Sequence, residues 1–176
     1  MNTRARNTLP DGSLRRLLAI CGVIGPILFI MVIFIFGLLR PGYSPVRQHI
    51  SELGEVGVTN AIVFNIAGFL LLGLLMIAFA FGLQRGISEG KGSKIGPTLI
   101  AVSGAGWVGA AFFHCDPGCV NVSFTGIMHD LTAIIPLFGM LIAPIAISQR
   151  LKKDSRWQTI THNTTLVGFL VFYGRE

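Results

Sequence analysis

Four stretches of this chain, residues 17–39, 61–83, 96–113 and 126–147, are each apolar over about 18 to 23 residues. At 1.5 Å per residue, a helix of that length rises about 27–35 Å, which is the thickness of a bilayer's hydrocarbon core. Lipid offers no hydrogen-bond partners, so a segment that crosses it folds as a helix whose backbone groups satisfy one another. Composition points the same way. Of 176 residues, 52% are hydrophobic and 12% charged, with a mean hydropathy of +0.68; soluble domains carry about a quarter charged residues. The expected fold is therefore all-α, a polytopic transmembrane helical bundle. A single domain covers residues 17–173, behind a basic cytoplasmic tail at 1–16, and the lipid bilayer is its first partner.

The first apolar run is longer than the roughly 7–15 residues of a signal-peptide core, and no A-x-A site follows it, so it reads as an uncleaved span with Pro26 as a bend. The second span contains Asn65. A strongly polar residue in lipid is expected to face the bundle and find a partner there. In the third span Ala101, Ala105 and Gly109 recur every four residues, a spacing that lets helix backbones approach closely and predicts a central helix. The fourth holds Pro136 and Pro144, which remove two backbone donors and predict a bent or locally unwound helix. A fifth stretch, 159–173, would rise about 22 Å. It is expected to be a short or incomplete span, either native or truncated.

Lys and Arg number four in the tail, three in residues 84–95 and four in 148–158, eleven of the chain's fourteen. Basic loops stay on the cytoplasmic side. The amino terminus is accordingly expected in the cytoplasm of a cell-membrane protein, with loops 40–60 and 114–125 sharing the outer face. The net charge of +6 belongs to these membrane-flanking clusters, so no nucleic-acid partner is expected. Within the first outer loop, Ser44 suits a helix cap, Pro45 the first helical position and Gly54 the end. Val46, Ile50 and Leu53 form one apolar stripe, predicting a short helix along the interface.

Residues 113–130, FHCDPGCVNVSFTGIMHD, gather two histidines, two aspartates and two cysteines in a chain otherwise poor in such groups. The topology puts His114, Asp116, His129 and Asp130 on the same face as Arg47, His49, Glu52 and Asn65, so these eight form a candidate outer-face polar cluster. Hydrolysis by a bound metal needs about three such ligands, an open position for water and a nearby carboxylate. The residue types are present, but their spacing matches no ligand motif; no catalytic residue, metal ligand or cofactor is assigned. The cluster is expected to be structural or to bind a lipid head group, small solute or ion. The alternatives are a membrane-embedded, metal-dependent hydrolase of a lipid-like substrate and a subunit of a membrane complex or homo-oligomer. Cys115 and Cys119 flank Asp-Pro-Gly, turn chemistry on an oxidising side, and read either as a disulfide or as two free thiols.

The run PGYSPVRQHISELG, ahead of a span that begins at Asn60 and contains Asn65, is followed by the FHCDPGC loop and a histidine at the head of the next helix. In these features the chain resembles the domain-of-unknown-function 998 family of bacterial and archaeal multi-pass membrane proteins, over about residues 15–173. SPVRQHISELG and the aspartate and histidine around the third loop carry the likeness most specifically. The resemblance implies a prokaryotic membrane protein with about six spans, so this chain looks C-terminally shortened. It implies no agreed activity.

Overall fold

The structure is a computed structural model that describes residues 11–87, 90 and 92–153. Among these residues all regular structure is helical. Four long helices, each apolar enough to cross a membrane, follow in chain order: α1 at Asp11–Leu39, α2 at Ala61–Gly86, α3 at Ile95–Phe112 and α4 at Phe124–Leu151. The chain therefore forms a multi-pass helical membrane protein. The expected fifth stretch, 159–173, and the first ten residues of the tail lie outside the described residues.

α1 starts at Asp11, before the apolar run begins, because hydrocarbon limits where the apolar residues sit and not where the helix starts. α4 is one continuous helix through Pro136 and Pro144, which corrects the expectation of local unwinding. The Pro136 ring packs against α3 at Gly106, where a Cβ would lie 2.5 Å from Pro136 Cδ. The irregular turn is in α2, where residues Asn65–Leu70 form a π-helix without any proline.

The helices pack in sequence order, α1 on α2, α2 on α3 and α3 on α4, while α1 and α4 have no comparable contact. Lipid is as apolar as a leucine side chain, so helices associate through close packing and hydrogen bonds and gain little from apolar burial itself. The α2–α3 crossing shows this. A Cβ on Gly73 would lie 2.5 Å from Gly104 O, and one on Gly104 would lie 2.7 Å from Gly73 O. The seam uses Gly104, whereas Ala105 of the expected stripe is exposed. α3 is the central helix, with 44% of its apolar window buried against 6% for α1.

One core cluster sits toward the end of the bundle that carries loops 40–60 and 113–123, called the loop end below; the other is the basic end. Leu53, Phe64, Phe69, Ala110 and Ala111 are buried there. Phe69 is the hub, stacked on Trp107 at 5.3 Å and meeting Phe64 edge-on at 5.3 Å. Because Leu53 belongs to this core, the first loop is drawn down onto the helices. Its helical part is a short 3-10 turn, Ile50–Gly54, so of the predicted stripe Ile50 and Leu53 are helical and Val46 lies before the helix. Val46 is 92% exposed and Ile50 41% exposed, while Leu53 is 2% exposed. Burying Leu53 in the bundle and leaving the other two outside breaks the common face.

Candidate functional site

Arg40, the first residue after α1, fixes the loop end. One guanidinium nitrogen, Nη1, donates to the Glu52 carbonyl, and Nη2 donates to Glu55 Oε1 at 2.7 Å. The second Glu55 oxygen accepts from Gly118 N–H at 2.6 Å. Beside it, Val56 N–H donates to Cys115 O at 3.0 Å. A single carboxylate thus ties the end of α1, the 50–56 turn and the 115–119 loop. Gly118 has φ +68°, a left-handed conformation that suits glycine, and its N–H reaches Glu55 from there. Cys115 and Cys119 close this loop as a disulfide with Cα atoms 5.1 Å apart.

Glu52 serves the first loop. Its Oε1 accepts from His49 N–H at 2.9 Å and its Oε2 from Gln48 Nε2 at 2.7 Å. Gln48 Oε1 in turn accepts from Ser44 N–H at 2.8 Å. Asn65, buried in the π-turn, donates through Nδ2 to Gly54 O at 2.8 Å. A Cβ on Gly54 would collide with that amide, so a glycine there is required by the close approach. The Asn65 Oδ1 atom is buried with no hydrogen-bond partner.

Asp116 and Ser123 start α4. Asp116 Oδ2 accepts from the N–H groups of Val122 at 3.0 Å and Ser123 at 2.8 Å, and Oδ1 accepts from the Ser123 hydroxyl at 2.7 Å. Ser123 Oγ then accepts from Gly126 N–H at 3.1 Å as the helix cap. The Ser123 hydroxyl first, and its N–H second, hold the Asp116 carboxyl below its usual 3.8; partial burial opposes them and Val122 N–H adds to them.

His129 is 2% exposed and caps the other side of the same corner. Its Nδ1 lies 2.6 Å from Phe113 O and 3.1 Å from Ala110 O. Carbonyls accept, so Nδ1 carries the proton and satisfies the last turn of α3. Its Nε2 is buried without a partner, on a ring 6.0 Å from that of Phe69.

Of the eight residues expected to cluster, Glu52, Asn65, Asp116 and His129 are buried, but in separate hydrogen-bonded sets. Arg47 and His49 are exposed, and His114 is half-buried beside a cavity of about 420 Å³ that Glu55 also lines. Asp130 lies exposed and accepts from Asn121 Nδ2 at 2.6 Å. Among the described residues no three His, Cys, Asp or Glu side chains come close enough to hold a metal ion. The residues the sequence reading missed are Arg40, Glu55, Gln48 and Ser123. Arg40 and Glu55 did carry a signal: opposite charges within the one loop of residues 40–60, Arg40 directly after the first apolar segment.

The family model described as protein of unknown function (DUF998) matches residues 23–174. The chain belongs to this family. No curated protein and no solved structure matches it. The DUF998 match takes in α1 from Val23 onward, the other three helices and both loops of the loop end, so the Arg40–Glu55–Gly118 connection lies wholly within the family region.

Proposed function

We propose that this protein is a non-catalytic integral protein of the cell membrane, with its amino terminus in the cytoplasm, in which the loop-end polar residues form a structural clasp on the helix row. One observation carries the reading: both carboxylate oxygens of Glu52, Glu55 and Asp116 accept hydrogen bonds from the chain itself. Each of these oxygens is held by a backbone or side-chain donor of the clasp, which is the role of a structural carboxylate. His129 uses its Nδ1 on the α3 carbonyls, and its Nε2 is enclosed in the core beside the Phe69 ring. Two features support the orientation: eleven of fourteen Lys and Arg fall in residues 1–16, 84–95 and 148–158 of the sequence, and the disulfide lies at the loop end, as an oxidising exterior favours.

The test is metal analysis of the purified chain in detergent together with thermal unfolding of variants. Glu55→Ala removes the Arg40 partner and the Gly118 acceptor together and should cost about 2–4 kcal/mol, a drop of several degrees in Tm, with no stoichiometric transition metal in either protein. A metal retained by the parent and lost from Asp116→Asn would overturn the reading and revive the hydrolase alternative.

A further inference from the structure

Because α1 and α4 do not pack directly, a groove of about 640 Å³ opens between them, floored by α2 and α3. Pro26 and Ile30 of α1 form one wall, Met140 and Ala143 of α4 the other, with Met76 and Trp107 beneath. Along α4 its lining runs from Met140 to Leu151, about 16 Å at 1.5 Å per residue. That is about half of a ~30 Å hydrocarbon core, the depth of one leaflet. The groove therefore runs from near the middle of α4 to the basic end.

Charge at that end is one-sided. The three cytoplasmic-type segments carry eleven Lys and Arg against Asp11, Glu89 and Asp154. Arg15 and Arg16 stand on α1 above Gly22, and Lys152 and Lys153 follow the groove's last α4 residue; all four are exposed. The lining adds the Ser148 hydroxyl near the basic end and, deeper, the Trp107 indole, whose N–H is buried without a partner.

We propose that this groove holds one acyl chain of an anionic phospholipid, with the phosphate lying among Arg15, Arg16, Lys152 and Lys153. An apolar slot open to the side and one leaflet deep accepts a lipid chain, and the cationic rim selects among head groups by charge. The clasp at the other end of the bundle is not involved.

The chain has two tryptophans, so Trp157→Phe leaves Trp107, set in the floor of the groove, as the one tryptophan, excited selectively at about 295 nm or longer wavelength, beyond tyrosine absorption. The protein is reconstituted in phosphatidylcholine vesicles, with either phosphatidylglycerol or phosphatidylcholine brominated near the middle of its chains. At equal mole fraction the brominated phosphatidylglycerol should quench Trp107 about threefold more effectively. Lys152→Gln with Lys153→Gln should bring the ratio toward one, and Ser148→Phe, which obstructs the slot near the rim, should weaken quenching by both lipids. Equal quenching by the two lipids in the parent would overturn the proposal, as would unaltered quenching in a Ser148→Phe protein that melts like the parent. A disulfide trapped between Met140→Cys and Phe169→Cys would overturn it too, by putting the chain's own residues 159–173 in the slot.

Discussion

At the scale of single residues, the loop end depends on which donor each carboxylate meets. Arg40 and Glu55 are 21% and 8% exposed in their side chains, so their pair is shielded far more than an exposed surface bridge, and each partner also holds a backbone group. A double-mutant cycle with Arg40→Gln and Glu55→Gln, read by thermal unfolding in detergent, should give a coupling of about 1–3 kcal/mol. Arg47→Gln, at an exposed position, should stay within about 0.5 kcal/mol of the parent. Asp116 adds a pH dependence. Its folded carboxyl is held below 3.8, so the folded state binds fewer protons than the unfolded one. The stability it contributes is present above that value and is lost as the pH falls through the folded pKa. Thermal midpoints should decline below about pH 4, and Asp116→Asn should be less stable at neutral pH with a shallower acid decline. An acid decline as steep in the variant as in the parent would remove Asp116 from this role. Apart from the opposite charges of Arg40 and Glu55, these pairings could not be read from residue type. Asp116 and His129 stood out because polar groups are rare in this chain, yet their partners are a neighbouring serine and two helix-end carbonyls that become partners after the helices pack.

At the scale of elements, the spans were legible because hydrocarbon imposes both length and polarity on a helix, and the four apolar runs left little choice. The seam between helices was less legible. α3 carries small residues around much of its circumference, including Gly96, Ala101, Gly104, Ala105, Gly106 and Gly109, so a four-residue spacing could be drawn along more than one stripe. The structure uses Gly104 against Gly73 and leaves Ala105 exposed. Gly104→Leu should therefore destabilise the protein by at least about 1–3 kcal/mol through overpacking, whereas Ala105→Leu should change thermal stability little. The reverse order would restore the Ala101–Ala105–Gly109 face as the seam. The π-turn of α2 had no proline to announce it. Its visible trace in the sequence was Asn65, whose amide reaches Gly54 from the first position of the wide turn.

At the scale of the whole molecule, four antiparallel spans divide the polar chain into two ends with different chemistry. The loop end carries Glu52, Glu55, Asp116 and Asp130 with Arg40 and Arg47, folded onto themselves and closed by a disulfide; the basic end carries most of the positive charge. Among the described residues α1 and α4 have no contact comparable to those of neighbouring helices, and Arg40, through Glu55, ties the end of α1 to the loop between α3 and α4. The proposed orientation rests on the same asymmetry. In a background with Cys21→Ala, Cys115→Ser and Cys119→Ser, a membrane-impermeant thiol reagent added to intact cells should label Val122→Cys, which stands at a position 77% exposed. It should fail to label Lys153→Cys until the membrane is permeabilised. The opposite pattern would invert the molecule, place the disulfide in a reducing compartment, and set the basic rim of the groove against the outer leaflet instead of the inner one.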